Sequence, residues 1–141
     1  MIRSNSNIDL LVSNELINDL NGVIYADGNV NISANEQKDK INTVINKGLI
    51  QSENNINITA KKLENTATTP TYKNTTTSSA KTISRGGSND YDIVNTTTVT
   101  QSVDVPSDPA LILSGGDINI DVDTLNNFYS LIASDGNIVL N

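Results

Sequence analysis

Apolar and polar residues alternate in five short segments of the chain. Each segment carries an aliphatic residue at every second position, in the pairs Ile8 and Leu10, Val30 and Ile32, Ile56 and Ile58, Ile118 and Ile120, Ile138 and Leu140. A period of two residues is typical of a β-strand with one buried face. We therefore expect five strands that contribute alternate side chains to an aliphatic core.

A second motif precedes four of these strands. It has the form aliphatic–Ile–x–small–x–Gly/Asn–Asn/Asp and occupies residues 23–29, 49–55, 111–117 and 131–137. The Gly and Asn residues at its end suit a tight corner, because both residue types adopt positive φ angles at low cost. The motif therefore predicts a further short strand in each unit, followed by a tight corner.

The spacing of the corner residue distinguishes between two all-β architectures. An Asn or Asp recurs at positions 7, 29, 55, 117 and 137, so successive occurrences are 22, 26, 62 and 20 residues apart. A β-meander shows turn signals every 8–12 residues or so. A repeat of about 20 residues is instead typical of a coil of a parallel β-helix. We predict an all-β fold built as a parallel β-helix.

Stacking of successive coils about 4.8 Å apart would align equivalent side chains into ladders. One interior ladder is predicted to contain Ile24, Ile50, Ile112 and Ile132, and a narrower one Ala26, Ser52, Ser114 and Ser134. At the corners, Asn29, Asn55 and Asn137 are interpreted either as a side-chain amide ladder, which Asp117 interrupts, or simply as turn formers.

The unequal spacing predicts two insertions and a division of the chain. We expect coils over residues 1–65 and again over 111–141, as one solenoid domain, with an exposed loop around residues 36–40. Residues 66–110 are rich in Ser and Thr and offer little to bury, so they are predicted to leave the solenoid as a twisted hairpin or as a disordered loop. Tyr72, Tyr91 and Arg85 on this excursion are candidates for a contact surface, but the simpler interpretation of the two tyrosines is that they anchor its strands to each other.

Composition argues against catalysis and against nucleic-acid binding. The chain has no His and no Cys, which removes the commonest general acid–base group and thiolate metal sites. Its formal net charge is −7, whereas a surface that follows phosphates needs excess Lys and Arg. The alternating Asp117, Asp121 and Asp123 could bind Ca²⁺, but solvated charge is the simpler interpretation. We expect no enzyme activity and no cofactor or metal, with a polysaccharide-active enzyme as a remote alternative.

The two ends of the sequence give further expectations. Residues 1–5 contain no apolar segment that would indicate a signal peptide, and no stretch is apolar over the length of a transmembrane helix. We expect no membrane insertion. The sequence stops within the predicted strand Ile138–Leu140, which would leave an open edge, so we expect the chain to be a fragment of a longer protein.

The complete repeat pattern is Gly-x-Ile-x-Ala/Ser-x-Gly-Asn-x-x-Ile/Leu-x-Ala-x-x-Leu-x-Asn. This pattern, seen at residues 22–34, 47–65 and 128–140, resembles the repeats of filamentous haemagglutinin and of contact-dependent growth-inhibition exoproteins. Asn54 departs from it where Gly is usual, and the first unit is irregular around Leu16 and Asn18.

The resemblance implies a right-handed parallel β-helix within a large protein exported by two-partner secretion. It implies an outer-membrane transporter as the secretion partner and a location outside the bacterium or on its surface. The expected function is a non-catalytic, structural and adhesive shaft that mediates adhesion to a host or neighbouring cell through an unidentified receptor. The alternative is the shaft of a contact-dependent toxin-delivery protein, which the sequence flanking this chain would distinguish.

Overall fold

The computed structural model describes residues 1–68, 71–87, 90–104 and 108–141, and for residues 84, 87, 90 and 91 the backbone only. The described residues form β-strands joined by turns, and none of them is helical. No helix among them is therefore long and apolar enough to cross a membrane. In chain order the strands are β1 Ile2–Ser4, β2 Ile8–Leu11, β3 Glu15–Asn18, β4 Val23–Ala26, β5 Val30–Ser33, β6 Ile41–Asn46, β7 Leu49–Ser52, β8 Ile56–Thr66, β9 Thr71–Gly87, β10 Asp90–Asp104, β11 Leu111–Ser114, β12 Ile118–Phe128, β13 Leu131–Ser134 and β14 Ile138–Leu140.

The chain divides into two compact units. The first, here called the stacked-sheet unit, comprises Met1–Thr69 and Ser107–Asn141, and the second, here called the ribbon, comprises Pro70–Pro106. The sequence placed the Ser/Thr-rich excursion at residues 66–110, so the ribbon lies inside the predicted excursion. Each unit is described separately below.

The first sheet of the stacked-sheet unit contains one strand from each repeat. Its strand order is β1-β4-β7-β11-β13, and all neighbouring strands are parallel. The register is the same throughout, because the second residue of the motif always pairs with its counterpart in the next repeat. The paired residues form a continuous series: Ile2, Ile24, Ile50, Ile112 and Ile132.

The second sheet has the strand order β14-β12-β8-β5-β2 and is also parallel. Strand β8 is eleven residues long and pairs along its first half with β5 and along its second half with β6, which in turn pairs with β3. We call the strands of one repeat a layer. The five layers are β1–β3, β4–β6, β7–β8, β11–β12 and β13–β14.

The core of the unit lies between these strands and is aliphatic. Alternate residues of each inner strand point into it, as in β8, whose burial alternates along nearly its whole length. The fully buried large apolar side chains are Val30, Ile32, Ile41, Val44, Ile50, Ile56, Ile58, Leu63, Ile112, Ile118 and Ile120. The predicted all-β class with parallel sheets is confirmed.

The ribbon is a single antiparallel pair, β9 with β10. The pairing runs in one register from Thr71 opposite Asp104 to Ser84 opposite Tyr91. After a register shift between Asp90 and Tyr91, the last pair is Gly87 opposite Asp90. The described side chains of both strands are exposed, apart from the partly exposed Asp92. Its sequence is rich in Thr and Ser, which favour strands but bury little apolar surface.

Candidate functional site

The chemically distinctive feature of the stacked-sheet unit is a set of side-chain ladders that run from layer to layer. The predicted ladder of Ile24, Ile50, Ile112 and Ile132 lies along the first sheet, each residue paired with the next. The first three are at most 3% exposed, and Ile132 is partly buried against the core. These residues provide packing rather than reactive groups.

The corner asparagines form a ladder of a different kind from the one expected. The side-chain oxygen of each corner residue accepts a hydrogen bond from the backbone N–H of its counterpart in the next layer. Asn29 N–H donates to Asn7 Oδ1 (2.8 Å), Asn55 N–H to Asn29 Oδ1 (3.0 Å), Asp117 N–H to Asn55 Oδ1 (2.8 Å) and Asn137 N–H to Asp117 Oδ1 (2.8 Å). Asp117 therefore continues the ladder, because a carboxylate accepts as well as an amide oxygen does.

The expectation that the corner glycines supply positive φ angles is wrong. Among the described glycines only Gly86 of the ribbon has a positive φ, and none of the corner asparagines does. A Cβ at Gly28, Gly116 or Gly136 would instead collide with the side-chain oxygen of the corner residue in the layer below. Glycine is present at these corners because successive corners approach too closely for a side chain.

Serine hydroxyls connect the same corners. Ser52 Oγ accepts from Asn54 N–H (3.0 Å) and donates to the Gly28 carbonyl of the layer below (2.6 Å). Ser114 and Ser134 make the equivalent bonds to the Asn54 and Gly116 carbonyls. Ala26 occupies this position in the second layer and is fully buried.

A buried asparagine ladder lies at the ends of β3, β6, β8 and β12, and sequence reasoning missed it. Asn18 Nδ2 donates to Asn46 Oδ1 (2.7 Å), Asn46 Nδ2 to Asn65 Oδ1 (2.8 Å) and Asn65 Nδ2 to Asn127 Oδ1 (2.8 Å). Asn46 and Asn65 are 0% exposed, and their Nδ2 groups also reach the Leu111 and Leu131 carbonyls. The sequence feature that could have indicated this ladder is the motif aliphatic-x-Asn, which recurs at residues 16–18, 44–46, 63–65 and 125–127.

A third polar ladder lies on the outer face of the second sheet. Asn31 Nδ2 donates to Asp9 Oδ1 (2.7 Å), Asn57 Nδ2 to Asn31 Oδ1 (2.8 Å) and Asn119 Nδ2 to Asn57 Oδ1 (3.0 Å). A groove of about 410 Å³ lies over part of this ladder, and one wall is formed by the loop around Asn35 and Lys38. Its lining is mixed, because Leu11 and Ile32 lie beside the polar Asp9, Asn31 and Asn57.

Charged groups are engaged with one another on the surface. Lys40 Nζ lies 2.7 Å from Asp123 Oδ1 and 2.9 Å from Asp121 Oδ1. These hydrogen bonds, first to Asp123 and then to Asp121, raise the pKa of Lys40. The acidic row considered as a Ca²⁺ site thus has an ammonium group between two of its members. No cluster of His, Cys, Asp or Glu that could hold a metal occurs among the described residues.

Tyr25 links the second layer to the third. Its hydroxyl donates to Glu53 Oε1 (2.7 Å), and hydrogen bonds to Glu53 and Asp27 raise the pKa of Tyr25 to about 12. The Arg3 guanidinium from the first layer lies 5.0 Å from the centre of the Tyr25 ring. Three layers therefore meet at this tyrosine.

The predicted contact residues lie on the ribbon. Tyr72 is 64% exposed and stands opposite Val103. The Arg85 guanidinium binds the Asp92 carboxylate, with Nε 2.7 Å from Oδ2. The backbone of Tyr91 pairs with Ser84, but its side chain lies outside the described part of the structure. Tyr72 is thus available for contact, and Arg85 is held in an ion pair.

Ser130 fixes the two points where the chain leaves and rejoins the stacked-sheet unit. Its Oγ accepts from Ala67 N–H (2.9 Å) and from Ala110 N–H (3.2 Å), and it donates to the Phe128 carbonyl (3.0 Å). Ala67 and Ala110 therefore lie side by side. The stacking resumes at once, because Leu111 N–H donates to the Gly48 carbonyl (2.8 Å).

Comparison of this chain with protein-family models, with curated proteins and with solved structures finds no match.

Proposed function

We propose that this chain is a non-catalytic, structural and adhesive segment of the shaft of a large secreted haemagglutinin-like exoprotein. The observation that supports the proposal is the constant register of five layers, in which each Ile of the series Ile2, Ile24, Ile50, Ile112 and Ile132 pairs with the next. Repeats that contact only their neighbours form extended rods, because each layer offers the same surface to the next.

The proposed architecture is a right-handed parallel β-helix with about 20 residues per coil. Equivalent corner residues in successive layers are 22, 26, 62 and 20 residues apart. The separation of 26 residues includes the loop around residues 35–40, and the separation of 62 residues includes the ribbon. A coil without an insertion is therefore about 20 residues long. Connections between parallel strands of one sheet are right-handed in about 98% of cases, which supports the right-handed form.

The proposed mechanism is mechanical. Each layer is joined to the next by parallel backbone hydrogen bonds and by the polar ladder at the corner. The first four layers are also joined by the asparagine ladders in the core and on the outer face. Buried hydrogen bonds between amide side chains are costly to break when no water can replace them. A stack joined in this way is expected to resist bending and to hold an attached region away from the cell surface.

The proposed setting is the outside of a bacterial cell. We propose export through an outer-membrane two-partner transporter and a receptor on a host or neighbouring cell. Exposed parts of the chain, above all the ribbon, would make the adhesive contact, with Tyr72 among its residues. The role requires no cofactor and no nucleic acid, in keeping with a net charge of −7 and the absence of His.

An adhesion assay tests this proposal. Beads coated with the chain are applied to epithelial and bacterial cell layers, and bound beads are counted against beads coated with albumin. We expect adhesion by the full chain and reduced adhesion by a variant that lacks residues 68–109. Adhesion no greater than that of albumin beads would contradict the adhesive role, and cleavage of any member of a polysaccharide panel would contradict the non-catalytic one.

An experimental crystal structure of the same chain tests the proposed architecture separately. It would show the hand of the connection from β1 through β2 and β3 to β4. A left-handed connection would overturn the proposed fold without bearing on adhesion.

A further inference from the structure

The groove beside the outer polar ladder has the size of a ligand site. Its volume is about 410 Å³, and sites for small molecules usually measure roughly 300–1,000 Å³. Residues of β2, β5 and β8 form its floor, and the loop between β5 and β6 forms its wall. The groove therefore crosses the first three layers along the stacking direction.

Hydrogen bonds within the loop fix the wall of the groove. Asn35 Nδ2 donates to Asp39 Oδ2 (2.7 Å), and Asn35 Oδ1 accepts from the Asp39 N–H (3.1 Å). The Ala34 N–H donates to the Asp39 carbonyl (2.8 Å). The residue that follows, Lys40, is held by two carboxylates of β12. The wall is thus in place before a ligand arrives, which lowers the entropic cost of binding.

The floor carries hydrogen-bonding groups that the ladder uses only in part. Asn31 donates to Asp9 and accepts from Asn57, which accepts in turn from Asn119. An amide nitrogen has two hydrogens and an amide oxygen two lone pairs. Within the described part of the chain, Asn31 and Asn57 each retain one hydrogen and one lone pair, Asp9 retains its Oδ2, and Thr59 retains its hydroxyl. Because these residues line the groove, it offers donors and acceptors side by side.

This arrangement identifies the chemistry of the ligand. A hydroxyl group donates and accepts at the same atom, so it complements a floor in which both kinds of group alternate. An apolar ligand would leave those groups without a partner, which costs free energy. Successive rungs are about 4.8 Å apart, close to the length of one sugar unit in an extended β-linked chain. Side chains on one face of a peptide strand are instead about 6.7 Å apart, so a peptide does not match the rungs.

The remaining lining fits an uncharged sugar chain. Leu11 is 48% exposed and provides an apolar patch for the C–H groups of a sugar ring. The charged side chains of the lining are Asp9, Glu36 and Lys38, hence two carboxylates against one ammonium group. A polyanion would be repelled by this balance, and nucleic acids need an excess of Lys and Arg.

We propose that the groove binds a neutral, linear, β-linked oligosaccharide. The chain lies along the stacking direction and places one sugar unit on each of the rungs Asp9, Asn31 and Asn57. Its hydroxyls accept from the remaining amide hydrogens and donate to the remaining lone pairs, and its ring C–H groups contact Leu11. This inference goes beyond the proposed adhesive role, which places the cell contact mainly on the ribbon, and does not depend on it.

Nuclear magnetic resonance of the isotope-labelled full chain, titrated with cellotetraose up to about 10 mM, tests the proposal. We expect the side-chain amide resonances of Asn31 and Asn57 to shift with a dissociation constant of about 1 mM. The amide of Asn42, which bonds to Asn14 outside the groove, is expected to stay unchanged. Maltotetraose, the α-linked tetramer of the same sugar, is the matched control ligand. It is expected to bind at least tenfold more weakly, because its curved chain leaves the rungs.

Two variants test the rungs themselves. Asn31→Ala removes the central rung and is expected to weaken the binding of cellotetraose about tenfold. Asn42→Ala removes an exposed amide outside the groove, and its binding is expected to equal that of the unmodified chain. The backbone spectrum of each variant verifies that the fold is retained.

Several outcomes would overturn the proposal. They are the absence of shifts at about 10 mM cellotetraose, an equal response to the two sugars, shifts confined to residues outside the groove, and equal losses in Asn31→Ala and Asn42→Ala. A stronger response of Asn31 and Asn57 to a peptide of alternating Ser and Ala would show that a peptide occupies the groove, which also overturns it. The measurement uses the isolated chain without cells, so its failure would leave the adhesive role untouched.

Discussion

Strands β8 and β9 are both long and both rich in residues that favour strands, yet they are stabilised differently. Strand β8 has parallel neighbours on both sides, and its alternate side chains enter the core. Strand β9 has one antiparallel neighbour, and its described side chains are exposed. The comparison shows that strand formation needs only a partner, whereas a rigid stack needs side chains that repeat in register from one layer to the next.

The strongest test of this comparison removes one isoleucine from each unit. Ile50 is 0% exposed and Ile93 is 61% exposed. Ile50→Ala leaves a cavity in the core and is expected to lower the free energy of unfolding by about 4 kcal/mol. Ile93→Ala is expected to cost less than about 0.5 kcal/mol. Urea unfolding of both variants in dilute solution measures the difference, and similar losses would refute the contrast.

The buried asparagine ladder gives the next largest effect. Asn46→Ala removes a side chain whose amide donates to Asn65 and Leu111 and accepts from Asn18. The partners are left buried without their hydrogen bonds, so we expect a loss of about 3 kcal/mol. Asn42→Ala is the control, since within the described part of the chain the Asn42 side chain bonds to the exposed Asn14 side chain alone. The loss on this change is expected to be below about 0.5 kcal/mol. Thermal unfolding of the two variants decides whether burial makes the difference.

Removal of the ribbon tests whether the two units are independent. Deletion of residues 68–109 joins Ala67 to Ala110, which already lie side by side on Ser130 Oγ. Three residues then connect Asn65 to Leu111, as three connect Asn127 to Leu131. We expect cooperative unfolding with a free energy unchanged or raised by up to about 2 kcal/mol, because a shorter connection costs less closure entropy. Loss of cooperativity would show that the stack depends on the ribbon.

A smaller gain is expected where the serine series is interrupted. Ala26→Ser introduces a hydroxyl at the position of Ser52, where it can donate to the Ser6 carbonyl as Ser52 donates to that of Gly28. We expect the variant to be more stable by about 0.5–1 kcal/mol. Ser52→Ala is the reverse change and is expected to be destabilising by a similar amount. A destabilised Ala26→Ser variant would mean that this corner is too tightly packed to accept the oxygen.

The smallest expected effect is a loss of folding stability at alkaline pH. The pKa of Tyr25 is about 12 in the folded chain, above the ordinary tyrosine value of 10.0, because its neutral hydroxyl bonds to Glu53 and Asp27. The stabilisation is therefore complete below pH 10 and is lost as the pH rises to 12. Unfolding measured between pH 9 and 12.5 or so should show a steeper decline for the natural chain than for Tyr25→Phe. Parallel curves of the free energy of unfolding against pH for the two chains would contradict this prediction.

The sequence was sufficient for the all-β class and the parallel sheets, because alternation and repeat spacing follow directly from strand geometry. It was insufficient for the chemistry of the corners. Gly28 and Gly116 suggest a special backbone angle when read alone, and only the layer below shows that they provide close approach. The asparagine partners of Asn46 lie 28 and 19 residues away in sequence, so the residues around Asn46 alone do not reveal that its amide is buried and satisfied. Only the recurrence of aliphatic-x-Asn in several repeats could have indicated it.

The candidate contact residues show a similar limit. Tyr72 could be placed on an exposed excursion from sequence, but the ion pair of Arg85 with Asp92 depends on a register that the sequence does not specify. The distribution of side chains between the two faces of the ribbon depends on the same register. A shift of one residue between β9 and β10 would put different side chains opposite one another.

The buried asparagine ladder also has a direction. Each Nδ2 group donates toward the C-terminal layers, from Asn18 to Asn46, from Asn46 to Asn65 and from Asn65 to Asn127. A finished layer thus presents an amide group whose acceptors, the oxygen of the next asparagine and a backbone carbonyl, lie in later layers. We therefore expect each layer to act as a template for the following one, with folding that advances from the N-terminal to the C-terminal layers.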